Sequence, residues 1–321
     1  MWLQMRMYLL VAFLFGVLYG VIVGVGTWMG VGSALTYVIF ALIFLGLQYL
    51  VSPALIGLTM RIKWVSEKEE PELHRMVAEL AKKANLLKPR VGISQLNVPN
   101  AFAFGRIQRD GRVCVTRGIL NLLNRDELRA VLGHEISHIK HRDMAIMTFL
   151  SAVPMIMYWI AFSMMWGGML GGRRQGGNYA VLIGLGAFLL YFITNLLVLY
   201  GSRIREYYAD MGSVKLGNMP HHLATALYKL VYNDARFKGH EELRRVEGVK
   251  AFFLNDPSRS WHEIRELSQI DQDMNGTIDY NELLDLRQKK LRLCTSDKLM
   301  ELFTTHPNML KRIKHLSILS V

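Results

Sequence analysis

His134-Glu135-Ile136-Ser137-His138 is the stretch whose reading decides the fold. On a helix, residues four apart share a face, so both imidazoles can reach one metal ion at about 2.0–2.1 Å. Glu135 lies beside the first histidine, where it can take a proton from metal-bound water and pass it to a leaving amine. The helix has its own start signal: Asn124 with Glu127 three residues later forms a capping-box pattern. A catalytic zinc usually has three protein ligands and one open position. His141 continues the same face, but it is seven residues from His134, about 10.5 Å along a straight helix axis. Two atoms bound to one zinc can be only about 4 Å apart. Glu206 is the better third ligand, within Ser202-Arg203-Ile204-Arg205-Glu206-Tyr207-Tyr208-Ala209-Asp210. Asp210 lies four residues further along that face, where it can accept the outer N–H of a ligand histidine and fix its tautomer. Alone, a Glu and an Asp at this spacing are commonly a solvated face. Downstream of the histidine pair, with an apolar hairpin between, they form a ligand set.

Four apolar runs surround this centre, at residues 8–25, 34–51, 144–166 and 179–200, and none carries a charged side chain. Each approaches or exceeds the about 18–20 residues that a bilayer-spanning helix needs. The 321-residue chain is 51% hydrophobic with a mean hydropathy of +0.20, and the excess sits in these runs. The first resembles a signal peptide, but a small-residue cleavage site does not follow it and a second apolar run does, so it reads as a retained helix. The last two also read as transmembrane, although a buried helical hairpin of the protease domain would look similar. The net charge is +12. Because the basic residues flank the apolar runs, positive-inside topology explains the balance better than nucleic-acid binding. The loop at 26–33 has no charge, whereas Arg61, Lys63, Arg203 and Arg205 sit at the other ends. The soluble mass is therefore expected in the cytoplasm, on a multi-pass chain in the plasma membrane. Arg173 and Arg174 in the glycine-rich loop weigh against that orientation without reversing it. Cys114 and Cys294 make no metal or redox pair and no disulfide framework, which suits a reducing compartment.

Between the second and third runs, residues 71–87 read as an amphipathic helix. Residues 90–96 come next and then two short strand-like runs, 101–108 and 112–116, with a hairpin turn at Arg109-Asp110-Gly111 between them. Beyond residue 200 the chain reads as mostly helical, including 223–232, 261–270 and 282–293. The expected fold is a mainly α integral membrane protein with about four transmembrane helices, a zincin-type α+β protease domain with a small β-sheet, and an EF-hand-like helix-loop-helix. The expected division is 1–60 for two transmembrane helices, 61–142 for the first part of the protease domain, 143–200 for a helical hairpin, and 201–321 for the second part, with the EF-hand-like segment at 261–293.

Together His134-Glu135-Ile136-Ser137-His138 with Asp143, Ser202-Arg203 leading to Glu206 and Asp210, and Thr305-His306-Pro307 followed by Arg312 resemble the HtpX family of membrane zinc metalloproteases, relatives of the CAAX prenyl proteases. The likeness runs from the N-terminal helices to the last one. It implies a protease that degrades damaged or misassembled membrane proteins at a cytoplasmic zinc site. It also implies that Asn100, Ala101, Phe102 and Ala103 are similar to the substrate-binding edge strand of such enzymes, which offers free N–H and C=O groups to an extended peptide. An ordinary half-buried strand is the bland alternative. By the same resemblance His306 and Arg312 are candidate donors to a developing oxyanion, and Tyr207 or Tyr208 could fill that role.

One segment departs from the family. Asp271-Gln272-Asp273-Met274-Asn275-Gly276-Thr277-Ile278-Asp279-Tyr280-Asn281-Glu282 fits a twelve-residue EF-hand loop. Asp271, Asp273 and Asn275 stand at positions 1, 3 and 5, Gly276 at the sharp turn, Thr277 offers a carbonyl, Asp279 acts directly or through water, and Glu282 can bind bidentately. The expected ions are one catalytic Zn2+ and a Ca2+ here, although no second loop is visible and sensor hands usually work in pairs. An acidic turn is the plainer reading. The leading expectation is an endopeptidase acting on polypeptides, either misfolded or membrane proteins. The alternatives are a processing enzyme for one substrate, or a calcium-responsive membrane scaffold with a relic site, against which the intact Glu135 argues. Oligomeric state is not legible.

Overall fold

The computed structural model describes residues 34–170, 177–236, 270–271, 273–289 and 300–320, together with Ile264 and Leu267. The apolar run at 8–25 and the uncharged loop at 26–33 lie outside the described residues, as does most of the segment 261–270. Two compact units emerge, one of residues 1–51 and 149–195, the other of 52–148 and 196–321.

The described part of the first unit is helical. Helix α1 (Ala34–Thr59) continues well past the apolar run that predicts it and tolerates Pro53. Helices α5 (Asp143–Leu170, with Pro154 inside) and α6 (Gly177–Lys215) extend from this unit into the second. Two stretches among the described residues, Asp143–Phe162 and Val181–Lys215, are long and apolar enough to cross a membrane. Leu182, Ile183, Leu185, Leu189 and Leu197 are all exposed, as a lipid-facing surface requires and a soluble core helix would not allow. Helix α6 runs 39 residues without a break, so the division between the units at 195/196 falls inside it.

The second unit is built on a four-stranded sheet. Its strands are β1 (Ile62–Trp64), β2 (Arg90–Ser94), β3 (Ala101–Phe104) and β4 (Arg112–Thr116), in the order β1-β2-β4-β3. β2 and β4 are parallel, while β1 and β3 are antiparallel to their neighbours. β3 is therefore an edge, and Gln108–Asp110 makes a 3-10 turn between it and β4. Helix α2 (Pro71–Lys83) begins with a proline and an acidic first turn and buries Leu73, Met76, Val77, Leu80 and Ala81 on one face, the stripe that its periodicity predicts.

A short helix α3 (Arg117–Leu122) leads to α4 (Arg125–His141). The Asn124 side chain accepts the Glu127 N–H at 2.9 Å, and the Glu127 carboxylate accepts the Asn124 N–H at 3.0 Å. Lys229 of helix α7 (Pro220–Arg236) also donates to Glu127 at 2.8 Å. Leu132 and Ile136 of α4 are fully buried among α2, α7 and β3. Each such side chain contributes about 1.5–3 kcal/mol relative to exposure, so α4 is pinned at its start and along its length. It ends at Arg142, whose backbone is left-handed (φ 57°, ψ 36°). Helices α8 (Tyr280–Gln288) and α9 (Met309–Leu319) complete the unit, with α9 packed on α7 and α8.

Candidate active site

Helix α4 presents His134 and His138 side by side, with their Nε2 atoms 3.1 Å apart. Helix α6 brings Glu206 to both. Its Oε2 is 3.6 Å from His134 Nε2, and its Oε1 is 3.6 Å from His138 Nε2. Two atoms held at about 2.0–2.2 Å by one tetrahedral zinc lie about 3.3–3.6 Å apart, close to these contacts, and one atom from each of the three residues lies within 4.8 Å of the others, so the group could hold a single ion. Two imidazoles and a carboxylate are also the donor set of several catalytic zinc centres. His141 takes no part. Its Nδ1 faces Ser137 Oγ at 3.3 Å, and it lines a different cavity with Lys83, Lys140 and Lys215.

Behind the three donors the structure is held by charge. His134 Nδ1 is 2.8 Å from Asp210 Oδ1. Arg312, fully buried on α9, donates to both Asp210 oxygens at 3.0 and 2.7 Å and approaches Glu206 Oε2 at 3.0 Å. Burial works against the Arg312 charge, but Asp210 and Glu206 outweigh it and raise its proton affinity further. Burial likewise opposes protonation of His134, and the hydrogen bonds to Asp210 and Glu206 outweigh it, lifting the imidazole to about 9 in the metal-free protein. On the other side His138 Nδ1 is 2.7 Å from Asp143 Oδ2, and the Arg205 guanidinium meets the other oxygen of Asp143. The sequence reading missed the part played by Asp143 and Arg205.

Glu135 projects into a cavity of about 130 Å³ lined also by His134, His138, Glu206, His306 and the strand residues Ala101–Ala103. Burial raises its proton affinity above that of an ordinary carboxylate, against the pull of the two histidines, and the Ala103 backbone hydrogen-bonds to it. Edge strand and candidate base therefore face one cleft. Asn100 is wholly buried, and its backbone pairs with Thr116 through the Thr116 hydroxyl, at 2.8 Å as donor and 3.1 Å as acceptor. His306 lines the cavity with both ring nitrogens buried and free of hydrogen bonds, Nδ1 lying 3.6 Å from Glu206 Oε1. Arg312, expected by resemblance as an oxyanion donor, lies behind Glu206 and does not line the cleft. Tyr207 and Tyr208 do not line it either.

The EF-hand-like loop gathers Asp271, Asp273 and Glu282, one oxygen from each lying within 4.8 Å of the others. Asn275 and Gly276 N–H groups donate to Asp271, each at 3.1 Å, and Gly276 turns at φ +80°. Thr277 N–H donates to Asn275 Oδ1 at 2.7 Å. Asp279 caps α8, accepting the Glu282 N–H at 2.8 Å.

A helix-borne histidine pair, a glutamate from a second helix, an adjacent carboxylate base and an edge strand on one cleft define a metalloprotease. Residues 67–320 match Peptidase family M48, and the chain belongs to that family, with relatives named as HtpX proteases. Protease HtpX homolog of Methanothermobacter thermautotrophicus is 53% identical over 229 residues, covering 71% of this chain and 86% of that one. Protease HtpX homolog of Aeropyrum pernix is 34% identical over 297 residues, covering 91% and 88%. Among solved structures, S. mikatae Ste24p shares the fold with a TM-score of 0.58 at 15% identity, over 98% of this chain and 65% of that one.

Proposed function

We propose that the protein is a membrane-bound zinc endopeptidase that hydrolyses peptide bonds of misfolded or membrane proteins, with His134, His138 and Glu206 as ligands and Glu135 as general base. The observation that carries this is the convergence of His134, His138 and Glu206, one ligand atom from each within 4.8 Å of the others, beside a buried carboxylate in the same cleft. Bound zinc would supply Lewis-acid activation of a water and of the scissile carbonyl. Glu135 accepts the proton of the attacking water and returns it to the leaving nitrogen. The edge strand Ala101–Phe104, led by Asn100, holds an extended substrate through backbone pairing that reads little side-chain sequence, which suits a broad substrate range. His306, with its unsatisfied nitrogens in the cleft, is the donor to the developing oxyanion. Asp210 fixes the tautomer of His134, and Arg312 holds Asp210 and Glu206 in place.

The apolar runs make the chain multi-pass, with transmembrane pairs in 1–60 and 143–200 and the protease domain of 61–142 and 201–321 facing the cytoplasm. A protease dedicated to one membrane substrate is the neighbouring alternative. The deciding experiment is zinc content and degradation of an unfolded protein in detergent, wild type against Glu135→Gln.

The loop Asp271–Glu282 binds Ca2+ in this proposal, with Asp271, Asp273, Asn275, Thr277, Asp279 and Glu282 as ligands. Two observations favour it over an acidic turn: the convergence of three carboxylates and the docking of the loop on α7. There Thr225 Oγ1 both donates to Ile278 C=O at 2.9 Å and accepts the Ile278 N–H at 3.0 Å. The backbone of Ile278 is thus satisfied by the protease core.

A further inference from the structure

The two histidines of the cluster are supported in matching ways. His134 leans on Asp210, and Asp210 on Arg312. His138 leans on Asp143, and Asp143 on Arg205. Of the first chain, Asp210 is visible in its spacing from Glu206. The second is not, because on an unbroken helix residues five apart are rotated by about 140°. The left-handed residue Arg142 ends α4 and starts α5 in a new direction, which returns Asp143 to His138. Arg205 also donates to the His141 carbonyl at 3.1 Å, closing the C-terminal turn of α4.

We propose that Asp143 and Arg205 are positioning residues for His138, and that they set the affinity of the site for its metal. A ligand imidazole must present a bare Nε2 and carry its proton on Nδ1. A buried carboxylate 2.7 Å from Nδ1 enforces that tautomer and fixes the plane of the ring. Arg205 meets the other carboxylate oxygen and keeps the group aimed. Asp143 is the first residue of α5, so His138 is oriented by the same helix that continues as the apolar segment. An acidic residue at a helix start also complements the helix dipole, but that role requires neither burial nor a histidine partner, and Asp143 has both. The proposal rests on the zinc reading above.

The test is zinc affinity, measured by chelator competition on the purified full chain, with kcat and KM on a peptide as free zinc is raised. Asp143→Ser keeps a residue suited to a helix start but cannot reach His138. It should weaken zinc binding by about 10- to 100-fold, lower activity at limiting zinc, and leave KM unchanged when zinc saturates. Asp143→Asn keeps the shape without the charge and should fall at the low end of that range. Arg205→Lys, which retains charge, should be milder than Arg205→Ala. Wild-type zinc affinity in whichever Asp143 variant folds would overturn the proposal and leave Asp143 as a helix-start residue. Failure of the zinc reading itself is distinguishable, since wild type would then bind no stoichiometric zinc.

Discussion

Arg312→Ala removes the cation on which the buried half of the site depends. Arg312 has no exposed side-chain surface and makes two hydrogen bonds to Asp210 and an ion pair to Glu206. Its loss leaves two carboxylates, nearly or wholly buried, with only imidazoles beside them: His134 at Asp210, and His134, His138 and His306 around Glu206. Breaking a buried pair by removing one partner costs about 3–5 kcal/mol. For a folding unit of this size each kcal/mol shifts the midpoint by about 2–4 °C, so the melting temperature should drop by about 6–20 °C. The loss should be largest in metal-free protein, because zinc supplies positive charge to Glu206 when it is bound. Arg312→Lys can satisfy one carboxylate but not the planar double contact and should fall between. The assay is thermal unfolding in detergent with and without zinc, paired with zinc stoichiometry. If Arg312→Ala melted with wild type and kept full zinc, the buried charge network would not be what holds Glu206.

His134→Ala, His138→Ala and Glu206→Ala should each lose zinc by elemental analysis, whereas His141→Ala should keep it; the reverse for Glu206 and His141 would overturn the third-ligand choice. Zinc must displace the proton that His134 holds up to about 9, so affinity should rise with pH toward that value, by about tenfold per unit, and fall on acidification. Calcium should raise the melting temperature of wild type but not of Asp271→Ala or Glu282→Gln, with zinc retained in all three. Thr225→Val should destabilise the loop by about 1–3 kcal/mol, since the Ile278 N–H and C=O both lose a partner. Melting that is unchanged from micromolar to millimolar calcium would leave only an acidic turn.

The legible parts of this protein are those where spacing within one helix decides geometry. His134 and His138 are four apart, as are Glu206 and Asp210, and a capping box announces where α4 begins. Only folding could supply what depends on a change of direction. Arg142 adopts a left-handed backbone without being glycine, so no punctuation marks the break that brings Asp143 to His138. The end of the apolar run near residue 200 looks like a helix end, yet Arg203, Arg205, Glu206 and Asp210 continue the same helix because their charges are met by neighbours. Arg203 donates to the Glu301 and Thr304 carbonyls, each at 2.8 Å, while Asp210 is met by Arg312. The three-residue strand β1 is too short for alternation to declare it and exists only because β2 offers a partner. Arg312 is named by motif, but its role depends on which side of Glu206 it approaches, and that is a tertiary fact.

The central claim is that Glu135 is the base of a zinc site and not one of its ligands. Zinc content and peptide hydrolysis measured together on wild type and Glu135→Gln test it most directly. The account predicts one zinc per chain in both proteins and hydrolysis abolished in the variant. Substantial turnover by Glu135→Gln, or loss of zinc from it, would contradict the account.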